Sequence, residues 1–243
     1  MNTRCRTRIT VYELVGYREW TESLGGDREH IIQDTQARIY SNLQRFLSSK
    51  QAFLLPLRYD YMIGITSSVR EAVIKESLRV LEGYSPVPVR AVSVSDKSLQ
   101  DAVKKATIML SKISMNSLKY IGSCENECVA AIHFDVNDFT SYTSKGFSVY
   151  DTYVYVMDLF ALLSKTILEL DGILQYLGGD NIIAFINPAK VDLASNIIKD
   201  LKSIKAGIGL ARTARKALEL AAEGLDSIRK SGNAYKVISK ILM

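Results

Sequence analysis

The stretch "GILQYLGGDNIIAFI", Gly172 to Ile186, decides how this chain is built. Two apolar runs flank Gly178-Gly179-Asp180-Asn181. Glycine tolerates positive φ, and Asp and Asn bond their own backbone, so the pattern predicts two antiparallel strands joined by a tight turn. An earlier stretch, "FLLPLRYDYMIGIT" from Phe53 to Thr66, has the same layout around Tyr59-Asp60-Tyr61. Asp60 and Asp180 are 120 residues apart. The same spacing separates Ile9 and Val129, which open the alternating runs "ITVYELVGY" and "VAAIHFDVN". One register thus aligns the first strand and the hairpin of both halves, and the chain reads as a tandem duplication.

The closing segments agree. "VRAVSVSDKSLQDAVKKA" from Val89 and "IKAGIGLARTARKALELAAEGLDSI" from Ile204 are each a strand followed by a helix, 115 residues apart. Long helices are expected over Arg28 to about Ser48 and about Val149 to Leu170, from apolar residues at helical spacing such as Tyr153, Val156, Leu159, Phe160, Leu163 and Ile167. Each half is then strand, loop, long helix, hairpin, helix, strand, helix. This predicts an α+β protein of two tandem ferredoxin-like βαββαβ repeats, with antiparallel sheets and helices packed on one face. The boundary falls between Lys112 and Asn126 and is drawn after residue 118, giving repeats 1–118 and 119–243.

Composition limits the function classes. The 243 residues are 47% hydrophobic and 23% charged, with four prolines and 14 glycines, as in an ordinary globular protein. The net charge of +5 suits an anionic ligand. The basic residues are dispersed, so no nucleic-acid partner is expected. The densest basic stretch, "RCRTR" from Arg4 to Arg8, reads as a solvated arm. Three cysteines, Cys5, Cys124 and Cys128, argue against a disulfide framework, and "CENEC" lacks the further ligands of a zinc site. No membrane span or signal-peptide core is visible, so a cytoplasmic protein without a membrane partner is expected.

"HFDVNDFTSYT", His133 to Thr143, carries the chemistry. Strand alternation puts His133, Asp135 and Asn137 on one face and Phe134 and Val136 on the other. In this frame Asp135 and Asp180 converge at one sheet edge. Two close carboxylates repel unless a cation lies between them, and oxygen ligands of this kind suit Mg²⁺ with substrate phosphates. The backbone after Asp135, through Asp138, Phe139 and Thr140, is expected to enter a helix whose amides can hold phosphate. By the 120-residue register Val15 stands where Asp135 stands, so the first half keeps Asp60 without a second acid and should hold no metal pair. Each residue also has a plainer reading. A strand-end Asp is commonly a turn former, His133 a core histidine, and Arg212 and Arg229 helix-surface charges.

"FDVNDFT" followed by a "GGDN" hairpin resembles the nucleotide-cyclase palm of class III adenylyl cyclases and GGDEF diguanylate cyclases. "RKSG" at Arg229 to Gly232 resembles the K-x-x-G that follows the last helix of GGDEF domains. A narrower family, the archaeal GTP cyclohydrolases III, resembles nearly the whole chain. The resemblance rests on the duplication, Trp20-Thr21, "QARIY" at Gln36–Tyr40, "AIHFDVND", "YDTYVYV" at Tyr150–Val156, "GGDN" and "AGIGLARTA" at Ala206–Ala214. It implies a Mg²⁺-dependent homo-oligomer, using more than one ion, that opens the imidazole ring of GTP. The product would keep the formyl group and one phosphate, release the β and γ phosphates, and feed riboflavin and deazaflavin-cofactor synthesis. It further implies metal contacts at Asp135, Val136 and Asp180, and catalytic roles for His133, Asp135, Asn137 and Asp180. Nucleotide contacts would come from Asp138, Phe139, Thr140, Gly179, Asn181, Arg212 and Arg229. The family often has Asp where Val15 stands, Gly where Ala211 stands and Asn where Asp138 stands. A cyclic-nucleotide-forming enzyme of the same fold is the first alternative, although GGDEF enzymes carry Glu where Asn181 stands. A non-catalytic GTP sensor is the second.

Overall fold

Thr7–Leu14 alternates side chains between two faces, and every residue of the run is buried, as befits a central strand covered on both sides. The structure is a computed structural model and describes residues 5–137, 139, 144, 146–201, 203–229 and 233–241. Arg6–Glu127 forms one compact unit, and Cys128–Met243 with Cys5 forms another. The division therefore falls between Glu127 and Cys128 rather than after residue 118. Residues 119–127 stay with the first unit because β5 pairs there and Glu127 binds Arg8.

In the first unit β1 (Thr7–Leu14) is followed by α1 (Tyr17–Ser23), α2 (Glu29–Ser49), β2 (Phe53–Leu55) and β3 (Tyr61–Ile65). Then come α3 (Glu71–Tyr84), β4 (Val89–Asp96), α4 (Leu99–Leu110) and β5 (Leu118–Ile121). The second unit runs β6 (Val129–Val136), α5 (Val149–Glu169), β7 (Ile173–Gly178), β8 (Asn181–Ile186) and a 3-10 turn at Pro188–Lys190. It continues with α6 (Val191–Asp200), β9 (Ile204–Ala211), α7 (Ala214–Ile228) and β10 (Tyr235–Ser239). The sheet orders are β2-β3-β1-β4-β5 and β10-β9-β6-β8-β7. The α+β duplication is as read from the sequence.

Two features differ from that reading. Each sheet gains a fifth edge strand, β5 or β10, and these strands pair in parallel. Both are short and only partly buried, so they lack the alternation that betrays a strand. The helices also cover both faces rather than one. Ala130, Ile132, Phe134 and Val136 of β6 pack with α5 and α6, whereas α7 lies on the opposite face against Gly207 and Gly209. A Cβ at Gly207 would sit 1.8 Å from the Ala221 carbonyl oxygen, and one at Gly209 would sit 2.0 Å from that of Ala217. Only glycine lets this helix rest directly on the strand. At the matching stations of β4 stand Val92 and Val94, so side chains separate α4 from its strand.

Local signals start and seat the helices. Ser148 and Asp151 form a capping box at the start of α5, satisfying two otherwise orphaned amides. Val156, Leu159, Leu163 and Ile167 then bury one face of that helix.

The basic arm is not wholly solvated. Arg8 is buried, with Nε 2.8 Å from Glu127, Nη2 2.8 Å from the Gly122 and Ser123 carbonyls, and its guanidinium 3.9 Å from the Tyr120 ring centroid. Cys5 and Cys128 are joined in a disulfide with a Cα–Cα distance of 5.6 Å, and Cys124 is exposed. A lone pair of cysteines 123 residues apart carries no local spacing signal, which is why counting cysteines did not find it. No described helix is long and apolar enough to cross a membrane.

The close contact of α7 with β9 yields a stability prediction. Gly207→Ala should destabilise the protein by about 3 kcal/mol, at the top of the overpacking range. Gly26→Ala, where an added Cβ meets nothing within 4 Å, should change it by less than about 0.5 kcal/mol. Urea unfolding midpoints of the two variants against wild type provide the check.

Candidate metal and nucleotide site

β6 lies between β8 and β9, and their ladders fix what meets at its end. Phe134 pairs with Ile182 of β8, and Asp135 pairs with Lys205 of β9. Extending the β6–β8 register sets Asp135 level with Asn181, and Val136 level with Asp180. Neighbouring strands are about 4.8 Å apart, so Asp135 and Asp180 occupy one edge of the sheet. Gly178 and Gly179, at φ +109° and +62°, close the hairpin that carries Asp180. Asn181 Nδ2 donates to the Gly178 carbonyl at 3.2 Å, and its Oδ1 is 3.4 Å from His133 Nε2. The Tyr176 hydroxyl donates to the Gly179 carbonyl at 3.2 Å. Burial, then the neighbouring Tyr153, pushes the Tyr176 phenol up, so it remains a donor at neutral pH.

The cations come from the outer-face helix and the neighbouring strand. Arg229, just past the end of α7, reaches Asp135 Oδ1 through Nη2 at 3.3 Å and Asp226 through Nη1 at 2.9 Å. Lys205 Nζ donates to the Arg229 carbonyl at 3.3 Å. Lys205 was not singled out from sequence. The signal was there, because the 115-residue register matches it with Arg90, another basic residue facing an acid.

The remaining candidates are distributed unevenly. The Val136 side chain is in the core, so its only free contribution is a carbonyl oxygen. The Asn137 amide donates to the Ser203 carbonyl at 3.0 Å, holding the chain at the strand end. Phe139 packs against the core cluster, which leaves its backbone rather than its ring for a ligand. Arg212 is not brought here. It follows Ala211, which pairs with Val129 at the opposite end of β6, roughly 23 Å along β9 from Lys205 at about 3.3 Å per residue. Asp138, Thr140 and residues 230–232 of "RKSG" lie outside the described residues.

The donor set fits a hard divalent ion. Two carboxylates and a carbonyl are all-oxygen donors, and Mg²⁺ characteristically takes one or two carboxylates with substrate phosphates. Among the described residues no group of three or more His, Cys, Asp or Glu is arranged to hold a metal ion by itself. Arg229 already places positive charge on Asp135, where a metal would otherwise stand.

The first unit overturns the expected asymmetry. Glu13 pairs with Arg90 and Leu14 with Val89, while Leu14 N donates to the Asp60 carbonyl at 2.9 Å. With Arg90 matching Lys205 and Asp60 matching Asp180, the residue at the station of Asp135 is Glu13, not Val15. A shift of two residues along a strand preserves the face of every side chain, so alternation alone does not detect it. The first repeat therefore keeps both acids, but arginines close them. Arg90 makes a two-point contact with Glu13 at 2.6 and 3.0 Å, and Tyr61 donates to the same carboxylate at 2.8 Å. Arg58 holds Asp60 at 2.7 and 3.2 Å.

Comparison with known proteins follows the same lines. Residues 9–240 match the family model for GTP cyclohydrolase III. A GTP cyclohydrolase III from Aeropyrum pernix is 40% identical over 99% of both chains. One from Saccharolobus solfataricus is 34% identical over 92% of this chain and 95% of its own. Solved structures are more distant. A bacterial light-regulated adenylyl cyclase has a TM-score of 0.37 at 14% identity, covering 96% of this chain and 85% of its own. A GGDEF domain from Caulobacter crescentus has 0.38 at 11%, covering 46% and 77%. By the family match and by its identity to these full-length relatives, the chain belongs to the GTP cyclohydrolase III family.

Proposed function

We propose that this chain is a hydrolase that opens the imidazole ring of GTP, using Mg²⁺ held at the edge formed by Asp135 and Asp180. Water adds at C8 and the C8–N9 bond breaks, leaving the formyl group on the former N7. The β and γ phosphates leave by hydrolysis, and the product is a formylaminopyrimidine ribosyl monophosphate. That product suits the early steps of riboflavin and deazaflavin-cofactor synthesis. The observation that carries the reading is the meeting of two carboxylates, a histidine and an arginine at one sheet edge in a chain of this family.

The chain's own residues have distinct tasks. Asp135 and Asp180, with the Val136 carbonyl, hold divalent metal. That metal, when bound, neutralises the triphosphate and lowers the pKa of a coordinated water. Arg229 leaves Asp135 to bind phosphate and stabilises charge developing on the leaving groups. His133 is within reach of Asn181 and is the candidate proton carrier. Asn181 orients that histidine while closing the hairpin, and Lys205 fixes the backbone at Arg229. Gly179 lets the turn approach the nucleotide closely. A homo-oligomer and a cytoplasmic location belong to the same proposal by family membership.

Mass spectrometry of purified protein with GTP and Mg²⁺ tests the reaction. A ring-opened monophosphate that keeps the formyl mass should appear, and EDTA should abolish it. A cyclic nucleotide instead would make the protein a cyclase. Asp180→Asn should lower turnover at least a hundredfold with the fold intact by circular dichroism, and Asp60→Asn should lower it less than threefold. Near-normal turnover in Asp180→Asn would sink the site assignment.

Arg229 competes with metal for Asp135 when nucleotide is absent. Arg229→Gln should therefore tighten Mn²⁺ binding to the free protein severalfold, read by electron paramagnetic resonance, while weakening GTP binding. Unchanged Mn²⁺ affinity would remove Arg229 as the counter-ion of that carboxylate.

A further inference from the structure

The first unit contains a cavity of about 350 Å³ with Val11, Ile63 and Val103 in its wall and Leu57, Arg58 and Tyr61 beside them. Its position is informative. By the strand registers above, Val11 matches His133, Tyr61 matches Asn181 and Ile63 matches Ile183. The helix register matches Val103 of α4 with Leu218 of α7. The cavity is thus the first repeat's version of the region beside His133 and Asn181. It has exchanged a histidine for valine, an asparagine for tyrosine and, at position 178, a glycine for arginine.

The cause of the cavity lies in β4. Val92 and Val94 stand where Gly207 and Gly209 let α7 rest on its strand, and they hold α4 off the sheet. The gap opens between α4 and the outer faces of β1 and β3. The loop that reaches it is unusual as well. Leu57 and Tyr59 have φ of 22° and 64°, conformations that side chains other than glycine adopt at a cost. Leu57 remains 44% exposed there, although it is a large apolar residue.

The chemistry of the lining selects the ligand. The nearby charges cancel, because Glu13 pairs with Arg90 and Asp60 with Arg58. Among the described residues lining the cavity no uncompensated carboxylate remains to hold a metal, and no uncompensated cation to hold a triphosphate. What remains is an apolar wall that includes Thr107, whose hydroxyl already donates to the Val103 carbonyl at 2.9 Å, with an aromatic ring and a guanidinium. The Arg58 guanidinium lies 5.5 Å from the Tyr61 ring centroid, and its Nη1 has no hydrogen-bond partner among the described residues. A planar ring that stacks on arginine and tyrosine, with a carbonyl or ring nitrogen to accept from Nη1, satisfies all three. The volume falls in the range of small-ligand pockets.

We propose that the first repeat binds a nucleobase in this cavity without metal, as a site separate from the metal edge of the second repeat. The test uses the full chain with labelled Ile, Leu and Val methyl groups, in EDTA, so it does not depend on turnover. Guanosine, adenosine, cytidine and uridine are titrated separately while methyl chemical shifts are recorded. At least one nucleoside should give saturable shifts at the Val11, Ile63 and Val103 methyls. The Ile63 shifts should weaken at least tenfold in affinity in Val103→Phe, which fills the cavity, and in the solvent-exposed variant Arg58→Ala, which should keep its methyl dispersion if the larger residue disturbs α4. Absence of shifts at these three residues with all four nucleosides would overturn the proposal. So would shifts confined to Ile183 and Leu218, or shifts that persist unchanged in both variants.

Discussion

The direct contact of α7 with β9 governs the second unit. Gly207 and Gly209 remove the side chains that would hold the helix off, and Ala217 and Ala221 bring its backbone onto the strand. The helix axis is thereby fixed against β9, and its far end has little freedom. Arg229 arrives beside Asp135 as a consequence, and Lys205 secures the carbonyl of that same residue. A packing constraint in the middle of the sheet thus becomes an electrostatic arrangement at its edge.

The two repeats show how a shared frame is turned to different uses by charge balance. Both set one acid at the end of the first strand and one at the hairpin. In the first repeat each acid has its own arginine, Arg90 or Arg58, and the cluster is electrically closed. In the second, Asp135 shares Arg229 with Asp226, and Asp180 has no ion-pair partner among the described residues. Among the described residues the second edge is therefore the one that keeps a carboxylate without a counter-charge, as the proposed metal site requires. The first repeat departs by adding counter-charges, not by losing an acid.

The sequence made the duplication, the hairpins and the long helices legible, because each leaves a local periodic or turn signal. Glycine pairs at Gly178-Gly179 announce a turn, and alternation from Val129 to Asn137 announces a strand and its faces. What stayed hidden depends on distance through space. The two-residue offset of β1 escaped notice because a shift by an even number of residues keeps every side chain on its face. The edge strands β5 and β10 are short and half-exposed. The Cys5–Cys128 disulfide joins residues far apart in sequence. Burial of Arg8 could not be read from a basic run, since five donors satisfied by three carbonyls, the Ser93 hydroxyl and a carboxylate look the same in sequence as five donors in water. Arg212 sits in a recognisable motif, yet strand direction carries it to the end of β9 opposite Lys205.

The two arginine–carboxylate pairs most relevant here differ in a way that separates scaffold from site. Arg8–Glu127 has both side chains fully buried, and removal of one partner would strand an uncompensated charge at a cost of about 3–5 kcal/mol. Arg229–Asp135 is 53% and 23% exposed, and a pair that open to water is worth about 0–1 kcal/mol. The first pair cannot exchange partners without loss of structure. The second can release its carboxylate to a metal and its guanidinium to a phosphate, because each new contact carries more charge than the one it replaces. Solvent exposure of Arg229 is therefore a requirement of the proposed chemistry, and the glycine-seated α7 keeps its backbone in place while the side chain moves.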